Sequence, residues 1–415
     1  MRKFVGSGAF ALVVLASTAL SAMAQDTLKI GYVDPLSGGG AAAGQIGMNQ
    51  LNYIAEAVNA KGGVMGKQVE IIPYDNKLDP QVSLVQIQKA VDQGVRIVIQ
   101  GNGSSVAAAV SDFVTKFNSR NPGKEVVHIN HAAIDPSLTN DKCSYWHFAF
   151  DANVNIKVEA MTNFMKANEA IKKVYLINQD YSFGHSVAEA AAAKLGAEGS
   201  SIEVVGKEFV PLQKVTDFSP YIAKIRASGA DSVFTANWGN DLQLLIKAAG
   251  DAGLDINWYT FYAGLAGTPT AIKQAGLEDK VFQITEGVNN LDYMPMQEEV
   301  KAYMAKYPDA PIYYPRLFNA MGMVFKAIEE AGSDDPVKFV PKLEGMKYVD
   351  FIDGKEGFMR ADDHQYFQTM YISGLGSLGP NQPFEEEKTG WGWKVAATIP
   401  VDDTIVSTTC QMERP

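Results

Sequence analysis

Short apolar runs bounded by glycine, proline or aspartate alternate with helix-periodic segments along almost the whole chain, and this alternation restricts the fold more than any other feature. The first unit is a strand pattern at 27–36 containing Pro35, then Ser37-Gly38-Gly39-Gly40 and a helix from about Gln45. Met48, Leu51, Ile54, Ala55 and Val58 recur at helical spacing, so one face of that helix packs on a sheet. Gly62-Gly63 ends it, because glycine readily takes the left-handed conformation that follows a helix. A strand follows at 68–74, then a helix opened by Asp79-Pro80 and a strand at 95–100. Gly103-Ser104-Ser105 opens another helix, and 125–130 is a fourth strand. Strands joined by helices of this length are parallel, which predicts a doubly wound α/β sheet.

After Asp151 the pattern repeats. Helices are expected to about 168 and at 183–195, 218–228 and 239–252, with strands at 174–178, 202–210, 232–237, 257–263 and 281–285. Helices near 295–307, 315–332 and 335–345 then precede hairpin-like segments at 348–375 and a tail with Trp391 and Trp393. No low-complexity linker separates the halves. Two such lobes imply a chain that crosses between them more than once, with a cleft at the strand C-termini, where these sheets bind ligands.

The N-terminus predicts export. Arg2 and Lys3 precede an uncharged apolar stretch at 9–20 and Ala22-Met23-Ala24, a small-x-small site that predicts cleavage after Ala24. A retained N-terminal anchor is the alternative, although the stretch is too short to span a bilayer. No lipobox cysteine lies near the site, so the mature chain is expected free in the periplasm. Removing 24 of 415 residues leaves 391, which at about 150 residues per domain is two or three domains, of which two is the reading adopted. With Arg2 and Lys3 gone, 34 basic and 47 acidic residues remain, a formal charge of −13. That scattered negative charge argues against nucleic acid and anionic membrane as partners.

Cys143 and Cys410 both survive cleavage, and an even count in an oxidising compartment predicts one disulfide pinning the tail to a distant loop. Two separate buried thiols are the alternative. His128, His131, His147, His185 and His364 show no metal-ligand spacing, and neither metal nor cofactor is expected. Gly38-x-Gly40-x-x-x-Gly44, with Asp75 ending the second strand, is a loose dinucleotide fingerprint. Against it, no catalytic pair accompanies the glycines, and an exported protein has no dependable nicotinamide supply. GxSxG elbows and P-loops are also missing, so binding without chemistry is the better class. Gly103-Ser104-Ser105 offers backbone N–H groups, two hydroxyls and a positive helix end, groups that suit a carboxylate. Serine as a plain N-cap is compatible with that role.

Six blocks carry a resemblance: KIGYVDPLSG from Lys29, NAKGGVMGKQVEIIPYDNKLDP from Asn59, VIQGNGSS from Val98, HAAIDPSLT from His131, DYSFG from Asp180 and DFSPYIAKIRASGADSVF from Asp217. Together they resemble the periplasmic solute-binding proteins of branched-chain amino acid (leucine/isoleucine/valine) ABC importers. The likeness runs along nearly all of the mature chain. It implies the type I periplasmic binding fold: α/β, with two Rossmann-like doubly wound lobes joined by a three-strand hinge, a ligand cleft between them, and no catalytic residues. The expected division is 1–24 as signal peptide, 25–149 plus 287–356 as N-terminal lobe, and 150–286 plus 357–415 as C-terminal lobe and tail.

Carried over by position, the family's carboxylate loop falls on Ser104 and Ser105, helped by the backbone at Ala132 and Ala133. Its closing aromatic residues fall on Phe183 and Trp238. Where amino acid binders hold the ligand's ammonium with an acid, this chain has Ala263; the first-loop aromatic is Ala43 and a threonine after the fourth strand is Ile134. A buried ammonium without its carboxylate costs on the order of several kcal/mol, so a standard α-amino acid fits poorly. Ala43 leaves room for a larger, flatter ligand lined by Tyr181, Phe183, Trp238, Tyr262 and Tyr314. Arg316, at a helix start near the cleft, is placed for a bidentate pair with a carboxylate, with a surface or inter-lobe salt bridge as the alternative. Asn102, Asn130 and His131 lie at strand ends facing the same region, and Asp241 is a substitute acceptor for an ammonium.

These features read as the binding component of an ABC importer, a monomer that closes on a small carboxylate-bearing solute and hands it to an inner-membrane permease. The solute is a branched-chain or related amino acid by family, or an aromatic acid by the substitutions. The alternatives are a ligand-sensing receptor module with the same fold and a secreted Rossmann-type oxidoreductase.

Overall fold

The computed structural model describes residues 27–197, 200–308, 310 and 312–415. The signal segment and its cleavage site at Ala24 lie outside the described residues. β1 (Thr27–Asp34) runs through a 3-10 turn at Gly38–Gly40 into α1 (Ala41–Asn59). The helix starts earlier than expected because Ala41-Ala42-Ala43, good helix formers, continue the turn. Gly44 lets α1 lie tightly on the end of β1, since a Cβ there would come 1.7 Å from the Pro35 carbonyl oxygen. β2 (Gln68–Asp75), α2 (Pro80–Asp92), β3 (Ile97–Gln100), α3 (Ser104–Arg120), β4 (Val127–Asn130) and β5 (His147–Ala149) complete the first sheet. Its order is β2-β1-β3-β4-β5, parallel throughout. Asp79 caps α2 by accepting from Val82 N at 2.9 Å, and Pro80 sits in the first turn, where its missing N–H is not needed. Asp75 accepts from Leu36 N at 2.9 Å, Ser37 Oγ at 2.5 Å and Lys77 N at 3.0 Å. It therefore shapes the glycine turn itself, a structural use of both glycines and acid.

The second lobe repeats the winding with α4 (Val154–Lys166), β6 (Lys173–Gln179), α5 (Ser182–Leu195), β7 (Glu203–Val210), α6 (Ser219–Ser228), β8 (Ser232–Phe234), α7 (Asn240–Asp251), β9 (Asn257–Thr260), α8 (Thr268–Gln274) and β10 (Val281–Thr285). β8 and β9 stop short of the expected 237 and 263, because the chain leaves the sheet there to build the cleft wall. α9 (Met294–Lys306), α10 (Arg316–Ala331) and α11 (Pro336–Leu343) follow, then β11 (Lys347–Val349), β12 (Glu356–Met359) and β13 (Tyr366–Phe367) in a small antiparallel sheet. β14 (Met370–Ser377) and β15 (Trp391–Ile399) extend the second sheet in antiparallel fashion, giving β15-β14-β10-β9-β8-β6-β7. α12 (Val401–Thr404) follows.

Leu317, Met321, Val324, Phe339 and Leu343 from α10 and α11 pack with Ile30, Val98 and Ile129 in the first core. Met359 and Tyr366 belong to the same core, whereas Phe367 and Met370 pack with Phe234 and Ile284 in the second. Up to β14 the chain thus passes between lobes three times, after β5, after β10 and at β13. Gln365 Nε2 to Asp151 O at 2.8 Å and Gln368 Nε2 to Phe150 O at 3.2 Å bind two passages together. Trp391 and Trp393 are buried in the second lobe.

Beyond α12 the tail returns to the first lobe. Cys410 is disulfide-bonded to Cys143, their Cα atoms 5.7 Å apart, and Met412 packs on the first core. No helix among the described residues is long and apolar enough to cross a membrane.

Candidate functional site

In each sheet the winding reverses once, at β1/β3 in the first and β6/β8 in the second. Loops at such switch points splay apart and leave a crevice. Between the two crevices lies a narrow cavity, lined from one side by Gly101, Asn102, Gly103, Ser104, Ala132, Ile134, Tyr313 and Tyr314 and from the other by Tyr181, Phe183, Trp238, Tyr262 and Leu265.

The first wall rests on Asp34, a fully buried acid ending β1. Its Oδ1 accepts from Asn102 N at 3.0 Å, and its Oδ2 from Asn102 Nδ2 at 3.0 Å and His131 Nε2 at 2.7 Å. The carboxylate thereby holds the turn that delivers Ser104 to the cavity, with Gly103 supplying the left-handed φ of 90°. Ser104 begins the 17-residue α3, and its Oγ accepts from Asp135 N at 3.3 Å. Tyr314 donates to Asn102 Oδ1 at 3.1 Å, so the Asn102 amide serves the scaffold.

The second wall is aromatic. Trp238 Nε1 donates to Tyr181 Oη at 2.8 Å, and Phe183 meets Tyr181 edge-on with centroids 5.9 Å apart. Tyr262 Oη stands 2.8 Å from Asp151 Oδ2 and 3.2 Å from Ala132 O, touching both the other lobe and a hinge passage. Burial, and then Asp151, raises its pKa, so the hydroxyl stays protonated. Ser105 Oγ and Ser182 Oγ, at the starts of α3 and α5, meet across the cleft at 3.3 Å.

Behind the cavity, Arg316, Glu286, Asp151 and Lys157 form a buried ionic cluster. Arg316 Nη1 lies 2.6 and 2.7 Å from the Glu286 oxygens and its Nη2 3.3 Å from Asp151, while Lys157 Nζ is 2.6 Å from Asp151. Burial alone would lower the Arg316 pKa, but Asp151 and Glu286 outweigh it and raise it. The Lys157 pKa is lowered by burial in spite of Asp151.

Of the residues singled out in the sequence, Asn102, Ser104, Ala132, Tyr181, Phe183, Trp238, Tyr262 and Tyr314 therefore border one cavity. Five others do not. Ser105 faces Ser182, and His131 sits behind the wall on Asp34. Ala133 is buried against Ala107 and Leu138, and Ala263 is fully buried in the second core. Arg316 spends its fork on Glu286, Asp151 and the His131 carbonyl, the inter-lobe alternative rather than a ligand contact. Asp241 accepts from Gln179 Nε2 at 2.7 Å and Gln213 N at 2.8 Å, and burial raises its pKa; it too is outside the cavity lining. Ile134 also borders the cavity and, with Ala43, packs with the second lobe's cluster, while Asn130 Nδ2 donates to Ala133 O at 2.8 Å. Sequence reasoning missed Asp34, Leu265 and Tyr313. An acid ending an apolar strand was the available signal for Asp34, since such a group is rarely buried without partners. Among the described residues no cluster of three or more metal ligands occurs.

Residues 27–378 match the family described as Periplasmic binding protein. The chain belongs to that family. This periplasmic binding protein is 30% identical to Leu/Ile/Val-binding protein homolog 4 of Brucella abortus (strain 2308), over 100% of its own chain and 99% of the relative. It superposes on the closed conformation of the leucine-, isoleucine-, valine-, threonine-, and alanine-binding protein from Brucella ovis with a TM-score of 0.82 at 30% identity, covering 94% of this chain and 100% of that one. A solute-binding protein of an ABC transporter from R. palustris, in complex with benzoate, shares the fold at TM-score 0.78 and 17% identity, over 93% and 99% of the two chains. The two-lobed type I architecture expected from the resemblance is the one this periplasmic binding protein has.

Proposed function

We propose that this protein serves an ABC importer as its periplasmic component, holding one small carboxylate-bearing solute between its lobes, passing it to an inner-membrane permease and catalysing no reaction. Removal of the segment up to Ala24 on export belongs to the same reading. The observation that carries it is the composition of the cavity wall, where a serine at a helix N-terminus stands opposite aromatic rings and no side chain is acidic or basic. The Ser104 hydroxyl and the positive end of α3 match a carboxylate. An ammonium beside that carboxylate would meet no countercharge in the wall, at a cost on the order of several kcal/mol. That favours an aromatic acid over a branched-chain amino acid, and the benzoate held by the R. palustris relative supports the preference. The names of the Brucella relatives support leucine, isoleucine and valine. A ligand touching both walls stabilises the closed arrangement by its differential affinity for it.

Thermal unfolding of the mature protein with benzoate, 4-hydroxybenzoate, leucine and valine tests the proposal, because a ligand of the native state raises Tm. The expected result is a rise with the aromatic acids, each recovered chemically unchanged. A rise with leucine or valine alone reverses the ligand preference, and no rise with any carboxylate sinks the reading.

A further inference from the structure

Tyr181 and Trp238 carry an inference that rests on the solute-binding reading and adds the chemistry of one ligand contact. The indole N–H of Trp238 is a donor only, and it points at Tyr181 Oη from 2.8 Å. The backbone that carries Trp238 is anchored at its carbonyl, which accepts from Gln179 Nε2 at 3.2 Å and Gln213 Nε2 at 3.0 Å. The Tyr181 oxygen must therefore accept, and among the described residues its own proton meets no acceptor. Since Tyr181 borders the cavity, that proton is left for whatever fills it. Ser104 repeats the arrangement on the other lobe, where its oxygen accepts from Asp135 N–H and its proton remains.

The two hydroxyls also share a positive setting. Ser104 begins α3 and Tyr181 precedes α5, and the first turns of these helices meet at Ser105 and Ser182. Both helix ends bring partial positive charge to the same seam. We propose that Tyr181 is a specificity-determining residue, which donates from the second lobe to an acceptor oxygen of the ligand because Trp238 fills its in-plane acceptor direction. The ligand is thus gripped through oxygen acceptors from both sides of the cleft, and a ligand that presents an N–H donor to Tyr181 is refused.

Calorimetric titration of the mature protein and of Tyr181→Phe with benzoate and with 4-methoxybenzoate tests this. Loss of one donor to a charged or polar oxygen is expected to weaken binding about tenfold. An equal loss for both ligands assigns the contact to the carboxylate, and a loss confined to 4-methoxybenzoate assigns it to the far oxygen; either supports the proposal. Unchanged affinity for both overturns it while leaving the solute-binding reading intact. If the parent protein binds neither acid, the carboxylate reading fails first and this one with it. Should Tyr181→Phe not fold, Trp238→Phe keeps an aromatic ring but frees that acceptor direction of Tyr181. It is expected to admit 4-aminobenzoate, and continued refusal of that ligand overturns the proposal.

Discussion

Arg316 Nη1 sits 2.6 Å and 2.7 Å from the two carboxylate oxygens of Glu286, and its Nη2 reaches Asp151 at 3.3 Å. One guanidinium from the start of α10 thus joins two of the passages between the lobes, and Tyr262 Oη, 2.8 Å from Asp151, links that joint to the cavity. Replacing Arg316 by Met leaves two buried carboxylates sharing only Lys157. Such a deletion is expected to cost about 3–5 kcal/mol, read as a lowered urea midpoint. Arg316→Lys should recover only part, because one ammonium cannot span both acids. A midpoint that does not move would refute this role.

The tail is a fourth connection between the lobes, and a covalent one. Besides the Cys143–Cys410 bond, Thr408 Oγ1 donates to Thr139 O at 2.6 Å and Arg414 Nη2 to Glu344 Oε1 at 2.7 Å. Cys410→Ser is expected to lower stability by about 2–5 kcal/mol. Hydrogen exchange should also rise in 405–415. Full protection of that segment in the variant would show that the polar contacts alone hold it.

Gly39 faces Gln213 across the mouth of the cleft, and a Cβ at Gly39 would lie 3.0 Å from Gln213 Cβ. Gln213 cannot readily retreat, since its backbone N–H is held by Asp241 at 2.8 Å. Gly39→Ala therefore obstructs closure without touching the core. Its expected signature is ligand affinity weakened several-fold with an unchanged Tm of the free protein, since only the closed state carries the contact. A fall in the free protein's Tm would place the damage in folding instead.

Burial raises the Glu386 carboxyl from 4.5 to about 8 and the Asp350 carboxyl from 3.8 to about 7. The native chain keeps protons that the unfolded chain has released, so the stability these groups contribute is full below about pH 4 and is lost as pH rises through 7 and 8. His128, pushed down by burial to about 3, acts in the opposite sense and only below its ordinary 6.5. Between pH 6.5 and 8.5 the acids act without that opposition, and Tm should fall. Glu386→Gln should flatten the slope, and an unaltered slope would count against its burial as an acid.

Much of the winding was legible because strands and helices advertise themselves by period, and two glycine-rich turns punctuate them. β5 was not legible, as three buried residues give no pattern. Nor was α8, which is seven residues long. At the site, Ser104 was readable from its place after a strand and a glycine, and the aromatic residues from their loops. Ala263 and Arg316 show the limit of position alone. Both lie close in sequence to cavity residues Tyr262 and Tyr314, yet one side chain turns into the second core and the other into an ionic cluster.

By itself the sequence determined the α/β winding, the two lobes and the serine-headed helix, all of which depend on local pattern, whereas the structure decided for the disulfide over two separate thiols. Only the tertiary structure decided which polar groups meet. Asp34 and His131 are 97 residues apart, and Gln50 and Tyr314 are 264 apart. Whether a buried charge serves a ligand or another charge depends on which partner the closed fold brings within hydrogen-bonding reach, and no local pattern in the chain encodes that distance.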